Sequence, residues 1–237
     1  MQKLILYLSV LFAANSIQMI TGFAGNLLAM PFAIAIIGYD SARVSINLFT
    51  LLGCSILSYQ NHAYIRFRIL LQLLAYMLAG VVLALCVQPY LSQQILRYSY
   101  GGFLLLVAFY QLLHRENTHL GKKASVIMAV AAGIIHTLFL SGGALLALLL
   151  SQKLKGREEF RATISTSWII LDSLLIIQHT IEGLYTARNI AYILWSIPVC
   201  LCSVSAGQLL YKRINSNSFQ ALIHVLLLIS GFSMFLS

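Results

Sequence analysis

Two stretches of this chain set glycine beside hydroxyl or amide side chains within apolar sequence: Thr21-Gly22-Phe23-Ala24-Gly25-Asn26 and Phe139-Leu140-Ser141-Gly142-Gly143-Ala144. Glycine weakens a helix and permits unusual backbone angles, and Ser, Thr or Asn beside it favours a new helix start. Each stretch reads as a helix interruption followed by a fresh N-terminus, whose free N–H groups and dipole suit an anion. Gly22, Gly25, Gly142 and Gly143 would offer backbone amides, with Thr21, Asn26 and Ser141 as neutral donors. Gln18 and His136 lie about one turn before their breaks and could point at the same cavity, as could Asn15 and Thr137. Small residues also permit close helix packing, but recurrence of the break in both halves favours a binding site.

Asn47 and Ser165 form a second matched pair, each on the helix after a break. Neutral polar residues on a membrane helix face protein or water, and this makes both candidates for substrate contact. Asp172 is the only acid well inside a predicted span, where an ionised carboxylate needs a partner or a place in an ion pathway. With His179 seven residues on, it could carry a proton in proton-coupled transport; the alternative is a neutral, hydrogen-bonded Asp that helps the helices pack. Arg43 and Arg161 begin helices; either could recruit a small oxyanion bidentately, but an arginine at a helix end more often snorkels to lipid headgroups, and Glu158 and Glu159 offer Arg161 a surface ion pair. Ser141 or Ser167 with His136 or His179 could be imagined as a serine hydrolase, yet the chain has no Gly-x-Ser-x-Gly, no His-Glu-x-x-His and no acidic metal cluster. Cys54, Cys86, Cys200 and Cys202 lack CxxC spacing and read as small hydrophobes. No catalytic residue, metal or cofactor is expected.

The elements that position these residues follow from composition. Hydrophobic residues make up 60% of the chain and charged ones 9%, against roughly 25% charged in a soluble domain. That composition predicts an all-α polytopic membrane protein with almost no soluble part. The net charge of +9 is spread between apolar segments, which excludes a nucleic-acid patch and points to an anionic lipid surface. Apolar segments cover 4–20, 22–37, 42–59, 69–87 and 98–113, then 124–140, 141–151, 162–178, 190–210 and 219–236. The longest loop between them is 114–123. The opening segment has the look of a signal peptide, but it has a counterpart in the second half and reads as a retained helix.

A shift of 118 positions lays Gly25-x-Leu27-Leu28-Ala29 on Gly143-x-Leu145-Leu146-Ala147, and puts Gly38 on Gly156, Arg43 on Arg161 and Gln60 on Gln178. In a chain of 237 residues this predicts two pseudo-symmetric halves, 1–118 and 119–237, with the site where they meet. Each half makes four or five crossings, giving eight to ten membrane segments with helices broken at the Gly-rich motifs. Four per half divide the basic residues seven against eight; five place Lys3, Arg43, Arg97 and Arg188 on one side and the other eleven opposite. The second arrangement obeys the positive-inside rule, and an odd number makes the halves inverted repeats with an external N-terminus.

Gly22-Phe23-Ala24-Gly25-Asn26-Leu27-Leu28-Ala29-Met30-Pro31 resembles the Gly-Phe-Gly-Gly-Gly stretch, apolar run and Pro of the TauE/SafE sulfite exporter family, also called the toluene sulfonate uptake permease family. Ser141-Gly142-Gly143-Ala144-Leu145-Leu146 is similar. Ala24 and Asn26 depart from the family's glycines, and Leu149 stands where the second copy would carry Pro. The resemblance implies a permease for a small anion such as sulfite, an organosulfonate or a related carboxylate, in the bacterial inner (plasma) membrane. The expected mechanism is alternating access, with a passive anion channel as the competing reading and an intramembrane hydrolase as a remoter one. Expected partners are the small anion, the lipid bilayer, a coupled proton and, if the chain forms a homo-oligomer, further copies of itself.

Overall fold

The computed structural model describes residues 2–113, 121–154 and 156–211, with Val225, Leu228, Ile229, Gly231, Phe232, Met234 and Phe235. Nine helices span the described chain up to Tyr211: α1 Gln2–Thr21, α2 Ala24–Ile37, α3 Tyr39–Gln60, α4 Phe67–Val87, α5 Gln93–Leu113, α6 Lys122–Phe139, α7 Gly143–Lys153, α8 Arg157–Ile181 and α9 Ala187–Tyr211. Short 3-10 turns at His62–Tyr64 and Gln88–Tyr90 follow α3 and α4. The boundary expected at 118, the loop at 114–120 and most of the segment 219–236 lie outside the described residues.

Six of these helices are long and apolar enough to cross a membrane, α4 together with the turn that follows it, and α2 and α7 are shorter apolar helices. Their surfaces are those of a bilayer protein: Leu71, Val82, Leu106, Ile127 and Leu209 are exposed, whereas Asn47, Ser165, Asp172 and His179 are wholly buried. Water would reward the opposite arrangement.

Local chemistry sets the helix ends. α1 stops at Gly22, whose φ of 84° is left-handed and open mainly to glycine. Gly38, with φ 87°, separates α2 from α3 in the same way. Asp40 in the first turn of α3, and Glu158 and Glu159 in that of α8, complement the positive end of each helix dipole. The ends of α1 and α6, Thr21 and Phe139, are 118 positions apart, as are the starts of α3 and α8, Tyr39 and Arg157.

α2 turns back beside α1, with Gly25 packed on Ala14 and Gln18. α3 then runs parallel to α1: Tyr7 bonds Ser45, Gly53 lies on Asn15, and Gln18 reaches Cys54. α3 and α8 are antiparallel, since Arg43 meets Glu182, Asn47 meets Asp172 and Ser58 meets Thr166. Around this seam the pairings interchange: α1 packs on α9 and α6 on α4, while α2 packs on α7.

The α4–α6 crossing rests on two glycines. A Cβ at Gly80 would lie 2.0 Å from the Val130 carbonyl oxygen, and one at Gly133 would lie 2.1 Å from that of Met77. Backbone cannot step aside as a side chain can. Gly133→Ala should therefore lower the detergent-solubilised protein's unfolding temperature, by about 1–3 kcal/mol of overpacking. Gly102→Ala, on open helix surface, should leave that temperature unchanged or raise it.

Candidate functional site

The two breaks meet inside the bundle. The Asn26 side chain donates to the Leu140 carbonyl at 3.1 Å and accepts from the Thr50 hydroxyl at 2.8 Å. A Cβ on Gly143 would lie 2.8 Å from that of Phe23. Residues 114 or more apart in sequence thus close on one another at the level where both helices are interrupted.

The breaks differ in how their backbone is satisfied. At the first, Thr21 Oγ accepts from the amides of Phe23 and Ala24 at 3.2 and 3.0 Å, and Gln18 Oε1 accepts from Gly25 at 2.8 Å. The Gly22 carbonyl accepts from Gln18 Nε2 at 3.2 Å and from Trp168 Nε1 at 3.0 Å. The open amides expected at the start of α2 are therefore largely taken by side chains. At the second break Leu140 has a left-handed φ of 54°, and Ser141 turns its hydroxyl to the Phe139 carbonyl and Tyr100. No side chain caps α7, and the amides of Gly143 and Ala144 have no acceptor among the described residues. Of the two termini, α7 keeps the anion-facing chemistry of an open helix start.

Beside the breaks, α3, α6 and α8 bring together polar residues that are at most 1% exposed. His136 Nε2 lies 3.0 Å from Asp172 Oδ1, and Asn47 Nδ2 donates to the same oxygen at 3.2 Å. Trp168 stacks on the His136 ring at 4.6 Å. Cys54, the position that the 118 shift lays on Asp172, sits close to it and also beside Gln18 and Ser165. His136 Nδ1, Asn47 Oδ1 and Asp172 Oδ2 are buried without a hydrogen-bond partner. Polar atoms left so in a closed interior are available to a ligand, a proton or water.

Most of the sequence candidates converge here: Gln18, Thr21, Gly22, Gly25, Asn26, Asn47, His136, Ser141, Gly142, Gly143, Ser165 and Asp172 surround the breaks or the adjoining cluster. Asp172 pairs with His136, however, and His179 lies elsewhere on α8, near Arg43. Seven helical residues separate the two by about 10 Å, which is why a shared face did not make them partners. Asn15 bonds Ser203 on α9 at 2.8 Å, and Thr137 bonds back to Gly133; both serve helix packing. Trp168, Thr50, Tyr39 and Tyr100 escaped the sequence reading. Trp168 could have been found four residues before Asp172, on its face of the helix.

Headgroup anchoring does not describe the two arginines, for Arg43 is 1% and Arg161 6% exposed. Arg161 donates to the Met19 carbonyl and lies 3.9 Å from the Tyr211 ring centre. The expected ion pair does not form. Glu159 pairs with Arg66, and Glu158 accepts from Tyr211.

A family model described as "Sulfite exporter TauE/SafE" matches residues 7–234. The chain belongs to this family. Its members are membrane transporters, not enzymes. No curated protein and no solved structure matches the chain.

Asn26 joins the two breaks through its bond to the Leu140 carbonyl. Asn26→Ala should orphan the Leu140 carbonyl and cost about 1–3 kcal/mol of stability, read as a lower unfolding temperature in detergent. In reconstituted vesicles the same variant should lose at least about tenfold of its transport rate, since about 1.4 kcal/mol of misplacement is a factor of ten.

Proposed function

We propose that this protein is a secondary transporter that moves a small oxyanion, such as sulfite, an organosulfonate or a related carboxylate, across the bacterial inner membrane by alternating access. The observation that carries this reading is the meeting of the two helix breaks beside the buried Asn47–Asp172–His136 cluster. The anion is held by the open amides at the start of α7, with the Ser141 hydroxyl and the side chains of Asn47 and Ser165 nearby. Gln18, Thr21, Gly22, Gly25 and Asn26 frame it from the first break, and Gly142 lets α7 begin close against α6, where a Cβ would meet the Ala132 carbonyl.

In this reading residues 1–118 and 119–237 are inverted repeats of one membrane domain. Support comes from α3 and α8, which hold matched places in the chain yet pack antiparallel, and from the interchange of α1–α9 with α6–α4. Because α1 and α3 are parallel, α2 returns the chain across the bilayer, as five crossings in the first repeat require. Rocking one repeat against the other then opens the centre to either side. The closed centre favours a transporter over an open anion channel.

Asp172 and His136 are the proton carriers. An anion entering beside an ionised Asp172 meets a like charge, and a proton on the Asp172–His136 pair removes that repulsion. Substrate and proton therefore travel together. In proteoliposomes, radiolabelled sulfite should accumulate several-fold when an inward proton gradient is imposed. Asp172→Asn should abolish that accumulation while retaining exchange of internal for external sulfite. Gradient-independent flux in the unsubstituted protein would rule out the coupling, and failure to move sulfite, sulfonates and carboxylates alike would rule out the transporter.

A further inference from the structure

At the end of the seam where α3 begins, Arg43 is buried to 1% exposure, and its guanidinium lies 5.2 Å from the Tyr39 ring centre. Its terminal nitrogens have partners: Glu182 Oε2 is 3.7 Å from Nη1 on a side chain one-third exposed, and the Gln88 amide, oriented to satisfy its neighbours, accepts from Nη1 at 2.7 Å and from Nη2 at 3.2 Å. Arg43 Nε donates to nothing, and both ring nitrogens of the wholly buried His179 lack partners. An imidazole always keeps at least one N–H, so Arg43 Nε and one ring nitrogen of His179 are donors left unused at this buried end of the seam. Buried donors in folded proteins are paired, and a small oxyanion would pair both.

We propose that Arg43 and His179 form a second anion station, between the membrane face where α3 begins and the central cluster. Two oxygens of a sulfite, sulfonate or carboxylate group accept from Arg43 Nε and from one nitrogen of His179. Glu182 is the resting competitor: one carboxylate oxygen stands 3.7 Å from the guanidinium, the other accepts from Gln178 at 2.7 Å, and the part-exposed side chain can turn to water when the substrate arrives. The station leads inward along two routes. Asn47 is one turn beyond Arg43 on α3, and Tyr39, beneath the guanidinium, donates to the Leu138 carbonyl at the second break at 2.7 Å. The assignment of the station's ligand as the transported anion rests on the transport reading above; the binding chemistry does not.

Equilibrium binding of radiolabelled sulfite to the detergent-purified full chain tests it, with methanesulfonate and acetate as competitors. Glu182→Gln, at a part-exposed site, should tighten binding at least threefold. His179→Phe should weaken it tenfold or more, and Arg43→Lys, which keeps the charge but lacks Nε, should also weaken it. His136→Ala, a change in the central cluster, should stop transport yet leave this binding and its response to Glu182→Gln intact. The station is overturned if sulfite does not bind saturably, if Glu182→Gln and His179→Phe both stay within twofold of the parent while eluting as folded protein, or if His136→Ala alone removes all binding. Binding that behaves as expected in a chain that moves no anion across vesicles would uphold the station and sink the transport reading.

Discussion

In hydrocarbon no water is at hand for an interrupted helix, so every amide and carbonyl that a break releases must find a partner inside the protein. This chain meets most of that demand with partners far away in sequence, and leaves the start of α7 open. Trp168, from the second half, covers the Gly22 carbonyl of the first break, while Asn26 and Tyr39, from the first half, cover the Leu140 and Leu138 carbonyls of the second. Each break is completed by residues of the other half of the chain. This reciprocal pairing goes with the crossing of α3 on α8, the contact of α2 with α7 and the burial of the polar centre.

Matched positions do not carry matched chemistry, and the differences fall at the centre. Gln18 spends its amide on closing the first break, whereas His136, at the corresponding place, leaves its own break uncapped and turns to Asp172. Cys54 and Asp172 correspond and lie together, one nearly apolar and the other able to hold a charge. The centre is accordingly asymmetric, with a carboxylate–imidazole pair on one side and an open helix start at α7. The proposed coupling of a proton to an anion requires such an imbalance, because attraction for the anion and storage of the proton need different groups.

The ends of the seam repeat the theme with arginine. Arg43 and Arg161 correspond in sequence and are both buried, yet Arg161 is spent on the Met19 carbonyl and the Tyr211 ring, while Arg43 faces a loose carboxylate and an unpartnered histidine. Reading either as a headgroup anchor was reasonable from its place at a helix start. It failed because burial depends on what packs above the helix end, which neighbouring residues in the sequence do not report.

The sequence by itself determined what depends on composition and short spacing. An apolar chain with few charges must lie in a membrane, Gly22 and Gly142–Gly143 must interrupt their helices, and the common offset of 118 placed the helix ends of one half on those of the other. It also picked nearly all the residues around the breaks, since buried polar side chains in such a chain are few. Only the tertiary structure decided who meets whom: Asp172 with His136 rather than His179, Asn26 with a carbonyl 114 residues away, Trp168 over a glycine 146 residues away, and Gln18 and Thr21 as caps for α2. Periodicity assigns a residue to a face of its helix, but helix packing chooses the partner on that face, and in a bilayer that choice is dictated by which arrangement leaves the fewest backbone groups unpaired.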